Sequence, residues 1–92
     1  MIEFDWDQWN IQKNEIKHGV SRLEAESAFF DVNYLLHNDV KHSSKEEKRY
    51  ILYGLGIENR ILMVAFTLRE HRIRIITARP ASKKERQLYE EK

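Results

Sequence analysis

The residues best suited to chemistry on an anion are the arginines of the last quarter of the chain. Residues 69–86 hold seven Lys or Arg and two acidic residues, whereas residues 1–31 hold three Lys or Arg and seven acidic residues. The formal net charge is only +1, so charge is sorted along the sequence. A basic strand and helix on a nearly neutral small protein indicate contact with a polyanion. The alternative is a solvated face that the acidic first third balances.

The spacing of these arginines suggests that they share one face of a hairpin. If residues 70–71 form a two-residue turn, Arg69 lies opposite Arg72 and Thr67 lies opposite Arg74. Like charges directly opposite each other destabilise a sheet, so an anion between them would explain the arrangement. The alternative is a pair of hydrated guanidinium groups that point apart, which costs little.

Arg74 and Arg79 are candidates for holding an anion, because a guanidinium can bind an oxyanion through two hydrogen bonds. Lys83 and Lys84 extend the basic patch beyond the strand. Arg79 has a second interpretation, as the structural partner of Glu85 or of an acid in the first third. Both interpretations of Arg79 stay open at the level of sequence.

Length and composition predict one domain over residues 1–92. The chain is 41% hydrophobic and 11% aromatic, which is enough for a modest core. It contains no cysteine, so disulfides, thiolate metal sites and cysteine nucleophiles are excluded. Its longest apolar run, residues 61–66, is far too short to span a bilayer, and the first residues do not resemble a signal peptide. We expect a soluble cytosolic protein.

The patterns along the chain predict an α+β fold in the order β-α-α-β-β-β-α, with helices on one face of an antiparallel sheet. Asp7 caps a helix to about Lys17, on which Trp6, Trp9, Ile16 and Val20 form an apolar stripe that Lys13 interrupts. A capping box at residues 21–24 begins a second helix, and another at residues 82–85 begins the last. Residues 33–48 read as a loop with a short extended piece. The three later strands are predicted over residues 49–55, 60–69 and 72–79.

The chain resembles the BrnT family of bacterial type II toxins along almost its whole length. The matching pieces are Phe4-x-Trp6-Asp7, Asn14-x-x-Lys17-His18-Gly19-Val20-Ser21, Glu24-Ala25, Asp31, His42-Ser43, Glu47-x-Arg49-Tyr50, Phe66-Thr67-x-Arg69, Ile73-Arg74-Ile75-Ile76-x-Ala78-Arg79-x-Ala81, Glu85 and Tyr89. Asn10 departs from the pattern, since members of the family often have lysine there. The resemblance implies a RelE-like fold and the activity of an endoribonuclease that a cognate BrnA-like antitoxin holds inactive.

The implied chemistry requires no metal or other cofactor, because RNA carries its own nucleophile, the 2′-hydroxyl. The protein must then supply a base, an acid and cations for the growing phosphorane charge. The resemblance makes Lys17, His18, Arg74, Arg79 and Tyr89 the catalytic candidates. The RNA-binding candidates are Arg69, Arg72, Lys83, Lys84 and His42.

Several of these candidates have ordinary structural interpretations. The segment 17–19 also reads as a helix C-terminus, where basic residues complement the helix dipole. His42 could be a solvated loop residue, and Tyr89 could be a packing residue. The four histidines do not show the spacing of a metal site, so no metal is expected.

Two functions from different classes follow from the sequence. The first is a ribonuclease toxin bound to a BrnA-like antitoxin, in a hetero-oligomer that dimerises through the antitoxin. The second is a non-catalytic basic module that binds nucleic acid or an acidic partner segment. Both use the same arginines, so the spatial arrangement of proton donors and acceptors must distinguish them.

Overall fold

A computed structural model describes residues 2–91; Met1 and Lys92, the ends of the predicted domain, lie outside the described residues. The elements are β1 (Phe4–Asp5), α1 (Gln8–His18), α2 (Arg22–Ser27), a 3-10 turn (Ala28–Phe30), β2 (Leu35–Asn38), a second 3-10 turn (Val40–His42), β3 (Arg49–Leu55), β4 (Ile61–Arg69), β5 (Arg72–Pro80) and α3 (Lys83–Glu91). The five strands form one sheet in the order β1-β5-β4-β3-β2. The α+β class is therefore confirmed.

The sheet is mixed, which corrects the predicted antiparallel sheet. β1 pairs with β5 in parallel, whereas β2, β3, β4 and β5 pair antiparallel to their neighbours. Residues 33–48, predicted as a loop with a short extended piece, contribute β2, an edge strand in addition to the four predicted strands. Strand β1 has only two residues, so the predicted element order included a first strand without indicating which strand it would pair with.

Local signals placed the helix starts and the end of α1 correctly, whereas the second helix ends at Ser27 and continues as a 3-10 turn. The Asp7 side chain accepts a hydrogen bond from the backbone N–H of Trp9, and Gly19 ends α1 with φ of 64°. The Ser21 hydroxyl accepts from the backbone N–H of Glu24, and Ser82 does the same for Glu85. These contacts satisfy backbone donors that a helix leaves unpaired at its first turn.

The predicted register of the last hairpin is confirmed, although its turn residues are unusual. Arg69 lies opposite Arg72 and Thr67 opposite Arg74. Glu70 and His71 have φ values of 49° and 70°, the left-handed conformation that a two-residue turn requires and that glycine and asparagine favour. A bulge between Ala65 and Phe66 then shifts the pairing of the rest of β5.

The core lies between α2 with its 3-10 turn and one face of the sheet. Its buried members are Val20, Ala25, Ala28, Phe29, Leu52, Leu62, Val64, Phe66, Ile75 and Ala78. The apolar stripe predicted for α1 is wrong for Trp9 and Ile16, which are 70% and 84% exposed, whereas Val20 is buried and Trp6 packs against the core. The buried residue of α1 is Asn14, whose Oδ1 accepts from the backbone N–H of Ala78 in β5. Helix α1 therefore covers the edge of β5 through a polar contact.

Helix α3 lies toward the opposite sheet face, which corrects the prediction that all helices share one face. Its Glu85 side chain binds Arg79, and Arg79 lies in the same cross-strand row as Met63 and Tyr53. These side chains alternate with the core residues along their strands and so point to the other side. This second face carries the candidate site.

Candidate functional site

A cleft of about 280 Å³ lies on the sheet face opposite the main core. Its floor is formed by Ile51, Met63, Ala65, Ile76 and Thr77. Its polar lining is formed by Asp39, His42, Arg49, Arg79 and Glu85. An apolar floor with a few convergent charged groups is the usual arrangement of a ligand site, so we take this cleft as the candidate site.

Arg49 lines the cleft and forms no ion pair with an acidic side chain of residues 2–91. It begins β3 and lies opposite Thr67 of β4. Arg49 was not predicted from the sequence as a site residue, although it belongs to the Glu47-x-Arg49-Tyr50 motif. Its position as the first residue of a strand was the available signal.

Arg79 enters the cleft from β5 but is held by α3. Its Nη1 and Nη2 donate to Glu85 Oε1 and Oε2 at 2.8 and 3.0 Å. This pairing raises the pKa of Arg79 and lowers the pKa of Glu85 below its usual range. Glu85 Oε1 also accepts from the backbone N–H of Ser82, so the contact anchors the start of α3. The structural interpretation of Arg79 thus has direct support, while its guanidinium still lines the cleft.

Arg74 lies beside the cleft and is paired with β1. Its Nε donates to Asp5 Oδ2 at 3.3 Å, and Asp5 is also its neighbour across the parallel pair. Arg74, Thr67 and Arg49 occupy one cross-strand row on the cleft face. Arg49 and Arg74 are separated by two strand spacings, on the order of 10 Å. Both side chains are long enough to contact the same phosphodiester at that separation.

The remaining RNA-binding candidates, Arg69, Arg72, Lys83 and Lys84, are not part of the cleft lining. Arg69 pairs with Glu47 at 2.9 Å at the end of the hairpin, opposite the exposed Arg72. Lys83 and Lys84 are exposed in the first turn of α3. Among the ten candidates named from sequence, the side chains that line the cleft are His42 and Arg79.

Lys17 and His18 lie in the last turn of α1, the helix that packs against β5, and neither lines the cleft. Lys17 is exposed and His18 is half-buried. Burial lowers the pKa of His18 below its ordinary 6.5, and the charges of Arg79, Lys13 and Lys17 lower it further. Lys13, which the sequence analysis noted only as an interruption of an apolar stripe, reaches the cleft floor, where its Nζ lies 3.5 Å from Thr77 Oγ1.

The lowered pKa of His18 predicts how stability changes with pH. The unfolded chain takes up a proton on His18 at a higher pH than the folded chain, so stability is lost as pH falls below about 6.5. Between pH 7.5 and pH 5.5 the free energy of unfolding of the wild type should therefore fall more than that of His18→Gln. Urea denaturation at the two pH values measures both. His71→Gln, at the exposed hairpin turn, is the control. An unchanged difference would contradict this account.

Tyr89 lies away from the cleft lining and fastens α3. Its hydroxyl donates to Asp31 Oδ2, which also accepts from the backbone N–H of Leu55. Burial, with the adjoining Asp31, raises the pKa of Tyr89 to about 12. The tyrosine therefore stays protonated at neutral pH, and the contact joins α3 to the segment between α2 and β2.

No three His, Asp or Glu side chains among residues 2–91 are clustered closely enough to hold a metal ion. In the same part of the chain, no helix combines the length and apolar character needed to cross a bilayer.

The fold and cleft describe a small α+β protein with cations and a histidine gathered on one sheet face, a geometry suited to a phosphodiester. Residues 6–85 match the family described as "Ribonuclease toxin, BrnT, of type II toxin-antitoxin system". The chain belongs to this family of ribonuclease toxins, as the sequence motifs predicted.

One solved structure provides an independent comparison of the fold. The 1.1 Å crystal structure of the Brucella abortus ribonuclease toxin BrnT is similar, with a TM-score of 0.65 and 21% sequence identity, over 90% of this chain and 100% of that one. At this identity the likeness establishes the fold. No curated protein matches the chain in sequence.

Proposed function

We propose that the chain is an endoribonuclease that cleaves RNA without a metal ion, in the cleft between β3 and α3. The RNA 2′-hydroxyl attacks the adjacent phosphorus, and the cations of the cleft stabilise the charge that grows on the phosphorane. The observation that supports this most strongly is Arg49, which forms no ion pair with any acidic side chain of the described residues and lines a cleft that also holds a histidine and a second arginine. The RelE-like character of the fold and action in the cytosol belong to the same proposal.

The cations divide into two groups by their partners. Arg49 is available to the phosphate throughout, whereas Arg79 must share its guanidinium with Glu85. Arg74, Arg69 and Arg72 form the outer part of the surface along which the RNA backbone lies, and Lys83 and Lys84 extend it beyond the cleft. We therefore assign stabilisation of the transition state to Arg49 and keep Arg74 as a neighbouring phosphate contact.

The catalytic candidates from the sequence take different parts in this proposal. Lys17 and His18 line the RNA path at the end of α1, next to Lys13. The neutral form of His18 is favoured by its lowered pKa, so His18 is suited to contact RNA without adding charge. Tyr89 acts through α3, which it fastens to Asp31.

The test is the chemistry of the product ends. Purified chain and a single-stranded RNA are incubated in EDTA and, separately, in magnesium, and the ends are identified by mass spectrometry. We expect equal cleavage in both, with 2′,3′-cyclic phosphate and 5′-hydroxyl ends, because the nucleophile is the RNA's own hydroxyl. A DNA strand of the corresponding sequence, which lacks the 2′-hydroxyl, is the control and should remain intact.

Other outcomes would select other functions. Activity that EDTA abolishes and magnesium restores, or products with 5′-phosphate ends, would contradict the proposed chemistry. RNA that binds the chain and stays uncut would favour the non-catalytic module, in which the Arg69, Arg74 and Arg79 ion pairs are simply structural.

We also propose that a BrnA-like antitoxin masks this surface, and that the resulting hetero-oligomer dimerises through the antitoxin. An acidic or amphipathic segment fits a surface carrying Arg69, Arg72, Arg74, Lys83 and Lys84, since opposite charges speed association and apolar burial slows release. Co-expression with the neighbouring open reading frame, followed by purification and the RNA assay, tests this pairing. A neighbour that neither co-purifies nor suppresses cleavage would exclude it.

A further inference from the structure

Asp39 and His42 form a pair at the edge of the cleft. The His42 Nδ1 atom lies 2.9 Å from Asp39 Oδ2 and 3.1 Å from Asp39 Oδ1. The Asp39 side chain is 12% exposed and the His42 side chain is 57% exposed. The carboxylate is thus shielded behind an imidazole that stays open to the cleft.

The backbone that carries this pair is tied to the start of β3. The backbone N–H of Asp39 donates to the carbonyl of Arg49 at 2.8 Å, and the backbone N–H of Arg49 donates to Ser43 Oγ at 2.9 Å. The Ser43 hydroxyl donates in turn to the carbonyl of Asp39 at 2.7 Å. These bonds hold the 3-10 turn, and with it the Asp39–His42 pair, against the strand that supplies Arg49.

The carboxylate decides which nitrogen of His42 can accept a proton. An ionised Asp39 can only accept hydrogen bonds, so it pairs with an Nδ1 that carries hydrogen. The neutral imidazole then has its lone pair on Nε2. A carboxylate that orients a histidine in this way is the arrangement by which enzymes prepare a general base.

We propose that His42 is the general base of the RNA cleavage reaction and that Asp39 is its positioning residue, an inference that rests on the proposed function. Nε2 of His42 takes the proton of the 2′-hydroxyl as its oxygen forms a bond to phosphorus. The bond between phosphorus and the 5′-oxygen breaks, and the departing oxygen takes a proton from water. The imidazolium returns its proton to water, leaving a 2′,3′-cyclic phosphate and a 5′-hydroxyl. Arg49 and Arg79 face the same space and balance the phosphorane charge.

The first experiment measures RNA cleavage by His42→Ala. We expect kcat to fall by about 100- to 10,000-fold, the usual contribution of a positioned acid or base, with KM changed by less than about threefold. Added imidazole should restore part of the rate in a saturable manner. His71→Ala, a histidine at the hairpin turn, is the matched control and should cleave at the wild-type rate.

The second experiment distinguishes a base from an acid. In an RNA whose 5′-oxygen at the cleaved position is replaced by sulfur, the leaving group departs without a proton. His42→Ala should remain defective on this substrate, because the 2′-hydroxyl still needs a base. Recovery of the wild-type rate would overturn the assignment of His42 as the base.

The third experiment concerns Asp39. Asp39→Asn should lower kcat by about 10-fold or more with KM unchanged, and imidazole should not restore it, because His42 still occupies the site. A purely structural Asp39 would instead lower the melting temperature and raise KM.

The outcomes separate this inference from the proposed function. If the wild type cleaves RNA and folded His42→Ala cleaves equally well, the assignment of His42 as general base is wrong and the proposed ribonuclease activity is unaffected. If the alanine variant does not fold, His42→Gln replaces it in the experiment. If the wild type leaves RNA intact, both are overturned.

Discussion

Replacing Arg49 with alanine should lower kcat/KM for RNA cleavage by about 100- to 1,000-fold, the loss seen when one transition-state donor is removed, or about 2.7–4 kcal/mol. The reason is that the cleft lining includes two arginines, Arg49 and Arg79, and the guanidinium of Arg79 is already paired with Glu85. Most of the loss should appear in kcat, because negative charge on the phosphorane oxygens grows as the reaction proceeds.

Two further variants sharpen this prediction. Arg49→Lys should recover only part of the activity, because a lysine supplies charge without the planar, two-pronged donor. Arg22→Ala removes the same charge from an exposed position on α2 and should retain full activity. The assay is initial-rate cleavage of a labelled RNA, with circular dichroism to verify folding. Folded Arg49→Ala at the wild-type rate would show that the cleft is not where the phosphate reacts.

Replacing Arg60 with alanine should lower the free energy of unfolding by about 2–3 kcal/mol. Arg60 Nε and Nη2 donate to the Glu24 carboxylate at 2.6 and 2.8 Å, and Nη2 also donates to the carbonyl of Gly19 at 2.9 Å. Glu24 is 2% exposed, so the variant leaves a charge buried without its partner. Breaking a fully buried pair costs about 3–5 kcal/mol, and we take a lower value because the Arg60 side chain is 39% exposed.

Urea denaturation measures this effect, and a second change isolates its cause. Adding Glu24→Gln to Arg60→Ala removes the stranded charge, so the double variant should be more stable than Arg60→Ala alone. Arg22→Ala again controls for the loss of one positive charge. Surface substitutions usually change the free energy of unfolding by no more than about 0.5 kcal/mol. If the value for Arg60→Ala lies within that range of the wild-type value, the Arg60–Glu24 pair does not hold α2 to the sheet.

Part of the fold could be predicted because its signals are local. Asp7, Ser21 and Ser82 satisfy backbone donors within three residues along the chain, so a helix start is visible in a short window. The hairpin register followed from a two-residue turn at residues 70–71, which places the alternating apolar residues of β4 and β5 on one face, even though Glu70 and His71 are poor turn residues. A two-residue period over nine-residue strands outweighed the turn preference.

Other features could not be read because they depend on which elements meet. Trp9 and Ile16 have the spacing of a buried stripe, yet α1 covers the edge of β5 with Asn14. The short β1 pairs with β5, some seventy residues further along the chain. Segments 35–38 and 40–42 offered no clear period, and their conformation comes from hydrogen bonds to β3.

The candidate site divides in the same way. The sequence by itself determined that the protein is a BrnT-type toxin and that its basic residues gather in the last quarter, since family motifs and charge are properties of residue order. Only the tertiary structure decided which of these cations are paired with acids. It paired Arg69, Arg74 and Arg79 with acids from distant or following segments, and it brought Arg49 beside the Asp39–His42 pair. The physical reason is that a charge's partner is set by distance in space, which sheet register and helix placement fix together.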